Sequence, residues 1–110
     1  MTAVSEFRPE DYLQTEEEIS DYLSAALEEA NELANPRDGA AFFARALGTA
    51  ARARKKVSDI AQDTQRTRQG VYKSLSAHGD PAFSTVLGAM HALGGQFEVT
   101  FPSQKHSAGV

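Results

Sequence analysis

One short segment, RTRQGVYKSL at residues 66–75, gathers the residue types that recognise nucleic acids. If it is helical, at about 100° per residue four polar side chains fall within an arc of about 140°: Arg68, Gln69, Tyr72 and Lys73. Val71 and Leu75 fall on the other side, where they can anchor the helix in a core. Arginine pairs with guanine edges, glutamine pairs with adenine, and lysine reaches phosphates. The spacing therefore predicts an outward helix face that contacts DNA.

Thr67 is placed to begin this helix, because its side-chain oxygen can accept a hydrogen bond from a free amide of the first turn. Arg68 then faces the positive end of the helix dipole, which costs about 0.3–1 kcal/mol. A residue that is unfavourable for local structure and has no evident structural benefit often has a functional role. A polyanion bound beside Arg68 would explain why a cation lies in the first turn of the helix. More bases lie upstream, where they could touch the phosphate backbone: Arg52, Arg54, Lys55 and Lys56.

A short helix before this segment completes a helix-turn-helix pattern. Ser58 is predicted to cap a helix from Asp59 to about Asp63, and Gln65-Arg66 forms a tight turn after it. In such a motif the second helix enters the major groove. The turn usually has glycine where Gln65 stands, because the backbone there tends to be left-handed. A left-handed glutamine costs about 1 kcal/mol, which is tolerable, so we expect the turn to be reshaped rather than absent. The alternative interpretation is an ordinary amphipathic surface helix in a small bundle.

The elements around this motif are predicted to be helical. Thr15 and Glu18 form a capping box, and apolar residues at helical spacing follow until Asn35-Pro36 ends the helix. A second helix runs from Asp38-Gly39 to Lys55-Lys56, and a last one follows Asp80-Pro81 and stops at Gly94-Gly95. These patterns predict a mainly α fold, a small helical bundle.

The end of the chain alternates in hydrophobicity. Phe97, Val99 and Phe101 fall on one side of a predicted strand over residues 96–101. A lone strand has no partner within the chain, so we expect it to pair with the same strand of a second subunit in a two-fold dimer. We therefore predict an acidic N-terminal segment at residues 1–37, a helix-turn-helix domain at 38–95, a dimerising strand at 96–101 and a flexible tail at 102–110.

Charge is divided unevenly along the 110 residues, although the net charge is only −4. Residues 1–35 carry ten acids against one base, a net of −9, whereas residues 36–110 carry ten bases against five acids, a net of +5. Such a division suggests two partners of opposite charge. The alternative is a solvated acidic helix with scattered surface arginines.

Composition excludes several functional classes. The chain has no cysteine, which rules out a disulfide, a thiolate nucleophile and a cysteine-based zinc site. Its three histidines show no ligand spacing, and we expect no metal or other cofactor. Residues 16–18 are consecutive glutamates whose side chains point apart on a helix, so we do not expect an enzyme. No apolar run long enough for a membrane helix occurs, and a cytoplasmic protein is expected.

Several motifs together resemble the addiction-module antidote proteins, HigA-like antitoxins with an Xre/Cro-type helix-turn-helix. The N-terminal part of the resemblance lies in Phe7, residues 11–13 and the helical pattern of residues 19–28, and it continues in ARALGTAARAR at 44–54. The most specific part is VYKSLSAHGDPAFSTVLGAMHALG at 71–94. Gln65 and Arg66 depart from the glycine and leucine usual in the family. The resemblance implies a Cro/lambda-repressor-like fold.

The resemblance further implies an antitoxin that neutralises a small toxin of the RelE/ParE-like superfamily and represses the shared operon. Its DNA-facing positions correspond here to the polar face described above and its cap: Thr67, Arg68, Gln69, Tyr72 and Lys73. A toxin that acts on RNA should be basic, so our hypothesis is that acidic residues of the N-terminal helix steer it while apolar ones anchor it. The acidic candidates are Asp21, Glu28, Glu29 and Glu32, and the anchor candidates are Tyr12, Leu13, Tyr22 and Leu27.

Two alternatives stay open at this point. The apolar anchor candidates could simply pack on the helix-turn-helix core. The whole chain could also be a stand-alone transcriptional regulator that has no toxin partner and uses its acidic helix for dimerisation or to cover its basic face. A small basic reading frame beside the gene would favour the antitoxin.

Overall fold

A computed structural model describes residues 9–76 and 81–102 of the chain. Helices are the only regular secondary structure within these residues, in agreement with the predicted mainly α fold. Six helices follow one another: α1 (Pro9–Tyr12), α2 (Glu16–Glu32), α3 (Pro36–Ala53), α4 (Val57–Asp63), α5 (Arg68–Ser74) and α6 (Phe83–Ala92). No helix in this part of the chain is long and apolar enough to cross a membrane.

The N-terminal helix α2 begins at the predicted capping box. The Glu18 amide donates to Thr15 Oγ1 at 3.1 Å, and the Thr15 amide donates to Glu18 Oε1 at 3.1 Å. These two bonds satisfy two amides that a helix start otherwise leaves free. The helix buries Ile19, Leu23 and Ala26 against α3 and ends at Glu32. The acidic segment is thus part of the same core as the rest of the chain.

The central helix α3 begins two residues earlier than predicted. Asn35 Oδ1 accepts a hydrogen bond from the Arg37 amide at 2.8 Å, and Pro36 occupies the first helical position, where it needs no amide partner. The prediction placed the start at Asp38-Gly39. Gly39 instead serves helix packing, because a Cβ there would lie 2.6 Å from the Ala30 carbonyl oxygen.

Helices α1, α2 and α6 pack on the central helix α3, and α4 packs on α5 and α6. The buried side of α3 consists mostly of small residues and Leu47. Gly48 lies so close to α5 that a Cβ would overlap the Leu75 carbonyl oxygen. On the far side of the motif, a Cβ on Gly88 of α6 would lie 2.8 Å from a methyl group of Thr64. Close backbone approach at both glycines therefore positions the α4–α5 pair.

The last helix begins later than predicted, at Phe83 rather than beside Pro81, and stops at Gly94-Gly95 as expected. Gly94 is left-handed with φ +85°, and the Gly95 amide donates to the Met90 carbonyl at 2.9 Å. The paired bond from the Gly94 amide to the His91 carbonyl measures 3.0 Å, which completes a Schellman ending.

The predicted C-terminal strand is absent from the described residues. Residues 96–101 have no regular secondary structure, because residues 9–76 and 81–102 contain no strand with which they could pair. Phe97 instead packs on Phe43, with ring centroids 6.0 Å apart and planes tilted by 58°. Val99 and Phe101 remain 81% and 59% exposed. The predicted tail beyond Pro102 lies outside the described residues.

Candidate nucleic-acid interface

The turn between α4 and α5 sets the direction of the recognition segment. Gln65 has φ +57°, so the backbone at this position is left-handed although glutamine replaces the usual glycine. The Arg66 amide donates to the Ala61 carbonyl at 2.8 Å, and the Gln65 amide donates to the Gln62 carbonyl at 3.2 Å. This pair of bonds is a Schellman motif, which ends α4 although no glycine is present. The departure from the usual glycine has therefore not reshaped the turn.

Thr67 caps α5 as predicted. Its Oγ1 accepts a hydrogen bond from the Gly70 amide at 2.9 Å, which satisfies one of the free amides of the first turn. The hydroxyl hydrogen remains available as a donor, since the cap uses only an acceptor lone pair. The helix itself begins at Arg68, and its first turn contains no acidic residue.

The two faces of α5 are divided as the helical wheel indicated. Val71 and Leu75 are buried in the core. The four polar residues of the opposite face are exposed, with Tyr72 40% accessible. Within residues 9–76 and 81–102, no hydrogen bond or ion pair engages the side chains of Arg68, Gln69 or Lys73. Donor groups on an exposed helix face, held by a buried opposite face, are suited to contacting base edges and phosphates.

The upstream bases are engaged to different degrees. Arg54 Nη1 donates to the Gln14 carbonyl at 2.6 Å, which ties the end of α3 to the loop before α2. This guanidinium has a structural role that the prediction of a phosphate contact did not foresee. Lys56 lies 3.8 Å from Asp59 in a solvent-exposed pair, a kind of contact that contributes little to stability. Lys55 is exposed and adopts φ +57°.

Lys55 provides a second Schellman ending without glycine. The Lys56 amide donates to the Ala51 carbonyl at 2.8 Å, and the Lys55 amide donates to the Arg52 carbonyl at 3.1 Å. This turn was not predicted, because the basic run was interpreted as phosphate contacts and as the end of the second helix. The left-handed backbone turns the chain from α3 into α4 and leaves the Lys55 side chain exposed.

A surface of opposite charge lies on α2. Four exposed carboxylates fall within an arc of about 60° on the side of α2 that faces away from the core, and we call them the acidic ridge: Glu17, Asp21, Glu28 and Glu32. Glu29 is also exposed but lies on the flank, beside a cleft whose lining includes Arg45. The Arg45 guanidinium lies 5.3 Å from the centre of the Phe42 ring.

The apolar anchor candidates have different surroundings. Leu13 is 0% exposed and lies in the hydrophobic core, so its side chain is not accessible for the predicted contact with a toxin. Tyr12 is 41% exposed and Leu27 is 36% exposed. Tyr22 is half-buried against the core, which agrees with the alternative that this side chain packs on it.

Two open clefts of about 580 and 560 Å³ flank Phe97 and share Leu27 and Phe43 as lining residues. The second cleft is lined by large apolar side chains that are at least partly exposed, Leu33 and Phe83 among them. We call the two clefts together the apolar trough. Sequence periodicity did not reveal it, because α2, α3 and α6 contribute its lining from distant parts of the chain.

Comparison with known proteins gives two matches. The sequence model of a family described as probable addiction module antidote protein matches residues 3–101. An uncharacterized protein of Haemophilus influenzae is 41% identical to this chain over 96 residues, which are 87% of this chain and 90% of the relative. No solved structure matches the chain significantly.

Proposed function

Because this chain belongs to the family of probable addiction module antidote proteins, we propose that it is the antitoxin of a type II toxin–antitoxin module. In this proposal it neutralises a small basic toxin of the RelE/ParE-like kind and represses its own operon in the cytoplasm. The observation that carries the DNA-binding part is the division of α5 into a buried apolar face and an exposed face of donor groups.

The repressor activity follows from the α4–α5 pair. Helix α5 enters the major groove, where Arg68 and Gln69 contact base edges and Lys73 contacts a phosphate. Tyr72 adds a hydroxyl and an apolar ring at the same surface, and the free Thr67 hydroxyl donates to the backbone near the helix start. Lys55 and Lys56, which follow α3, add contacts to phosphates that do not depend on sequence.

In this proposal the DNA-binding unit is a homodimer. Val99 and Phe101 are exposed large apolar residues in a segment without a partner in the described chain, and Phe97 precedes them. A two-fold axis through residues 96–101 would let the two segments pair as strands, which a single copy cannot do. The two recognition helices of such a dimer should lie about 34–36 Å apart, so the operator should be roughly palindromic.

The antidote activity is assigned to the acidic surface of α2. The acidic ridge and Glu29 attract a basic toxin over a long range, which mainly raises the rate of encounter. Exposed apolar side chains such as Tyr12 and Leu27 then supply contacts that hold the complex. This division between steering charges and apolar anchors gives the charge asymmetry of the sequence a function.

The test is co-expression with the product of the small reading frame adjacent to the gene. We expect that product to arrest growth alone, to be tolerated with this chain, and to co-purify with it. The purified chain should also shift a DNA fragment from its own promoter. A chain that shifts the promoter but neither rescues growth nor binds the product would instead be a stand-alone regulator. Failure to bind the promoter more tightly than random DNA would reject the repressor activity.

A further inference from the structure

The apolar trough is a surface whose exposure the DNA-binding face does not explain. Phe83 is 70% exposed and Leu33 is 39% exposed, and both line the same cleft as Leu27 and Phe97. Single exposed apolar residues are ordinary on a soluble protein, but several large ones around one concave surface mark a binding site. The trough is therefore a candidate binding surface.

The charges around the trough indicate the chemistry of that occupant. Among the residues that line the two clefts, Glu16 and Glu98 are the charged ones, and neither cleft has a basic lining residue. The acidic ridge runs along α2 beside them, with Asn31 between the ridge and Leu27 on the helix surface. An apolar groove with carboxylates along its margin is complementary to an apolar segment flanked by lysine or arginine.

A second copy of this chain fits the trough poorly. A two-fold contact through this face would bring each copy's acidic ridge and Glu16 towards those of the other copy. Like charges placed together across an interface oppose association strongly. Val99 and Phe101 are exposed and line neither cleft, so they can support dimerisation without the trough.

We propose that the apolar trough is the docking site for the toxin, which inserts apolar side chains of a basic segment between α2 and α6. This inference rests on the proposed function, because it assigns a site to the toxin. It adds a residue from α6, Phe83, to contacts that sequence had placed only in the N-terminal part of the chain. Leu27 and Phe83 then act as anchors, and the acidic ridge acts as the steering surface.

Single thiols provide a direct test, since the chain contains no cysteine. The variants Leu27→Cys and Phe83→Cys place a thiol at exposed positions of the trough, and Gln62→Cys places one at an exposed position of α4 as a control. Each variant is treated with dithiobis(nitrobenzoate), alone and in complex with the co-expressed product of the adjacent reading frame. We expect complex formation to slow the first two reactions at least tenfold and the control less than twofold.

Affinity provides the second measurement. The double variant Leu27→Ser/Phe83→Ser should weaken toxin binding at least tenfold and leave promoter binding within twofold of the wild type. Gln62→Ser should change toxin binding less than twofold. Retained promoter binding shows that the double variant is folded, so that loss of toxin binding is not a consequence of unfolding.

Other outcomes overturn the inference. Equal thiol reactivity in the free chain and the complex would show that the toxin docks elsewhere, although the antitoxin function would stand. Slow reaction in the free chain at all concentrations would mean that another segment of the same chain covers the trough. Slow reaction that accelerates on dilution would mean that a second copy covers it. If the wild-type chain binds no adjacent gene product, the proposed function fails and this inference fails with it.

Discussion

The recognition surface depends at the residue scale on two backbone positions that contain side chains where glycine is usual. Gln65 and Lys55 both adopt φ +57°, and each ends a helix by a Schellman pair of hydrogen bonds. An L-residue in this region is strained by about 1–2 kcal/mol. The strain at Gln65 lies directly before the recognition helix, so the turn is maintained at a cost in stability.

Gln65→Gly should stabilise the protein by about 0.5–1 kcal/mol, because relief of the left-handed strain exceeds the extra entropy of glycine in the unfolded chain. Urea unfolding measures the change. The matched control Gln62→Gly replaces an exposed glutamine within α4 and should destabilise by about 0.5–1 kcal/mol. Equal destabilisation by both substitutions would contradict the assigned backbone conformation.

Arg68 and Lys56 should differ in the kind of binding that they contribute. Arg68→Ala should cost about 1–3 kcal/mol on the operator and relax specificity at one base pair. Lys56→Ala should weaken binding to operator and random DNA alike, because it removes only a phosphate contact. Titrations of both DNAs at one salt concentration compare the two. An equal loss on both DNAs for Arg68→Ala would show that Arg68 contacts only the backbone.

At the scale of elements, the position of α5 depends on how closely it approaches α3. Gly48 leaves no room for a side chain against the Leu75 carbonyl, and Leu75 is itself a buried anchor of the recognition helix. The same contact that stabilises the bundle therefore sets the depth at which α5 sits and the direction of its polar face.

Gly48→Ala should destabilise the protein by about 1–3 kcal/mol, since the added methyl group meets backbone that cannot move without shifting α5. Operator affinity should fall more than non-specific affinity, because the base contacts depend on helix position. Gly70→Ala is the control, as its nearest neighbour would be the Thr67 hydroxyl at 3.1 Å, and stability should stay within about 1 kcal/mol. A Gly48→Ala protein as stable as the wild type would refute the close crossing of α3 and α5.

At the scale of the whole molecule, the acidic and basic parts of the chain share one core. Helix α2 contributes Ile19 and Leu23 to the interior, and burial of such side chains is worth about 1.5–3 kcal/mol each. Deleting residues 1–34 would therefore remove a large share of the roughly 5–15 kcal/mol that stabilises a small domain. Charge substitutions are the appropriate way to examine the acidic surface.

The double variant Glu28→Gln/Glu32→Gln should unfold within about 0.5 kcal/mol of the wild type, since both residues are exposed. Its association with the toxin should be several times slower at low salt, and the difference should disappear in concentrated salt, where steering is screened. Stopped-flow association rates provide the measurement. The same slowing at high salt would argue that these carboxylates make direct contacts rather than steering the toxin.

The local features of this protein were determined by sequence alone. Thr15 with Glu18, and Thr67 with the Gly70 amide, are bonds between neighbours three residues apart, so the residue types predict them. The buried positions of Val71 and Leu75 and the exposed face of α5 follow from helical periodicity. The geometry of the turn at Gln65 was not determined in this way, because a glutamine in place of the usual glycine indicated a reshaped turn, whereas the structure retains the left-handed backbone.

Only the tertiary structure decided the features that depend on distant residues. It buried Leu13, joined Arg54 to the Gln14 carbonyl 40 residues away, and packed Phe97 on Phe43 instead of leaving it in a strand. It also assembled the apolar trough from three helices. Periodicity shows which side of an element is apolar, but the neighbour that covers that side depends on how the whole chain packs.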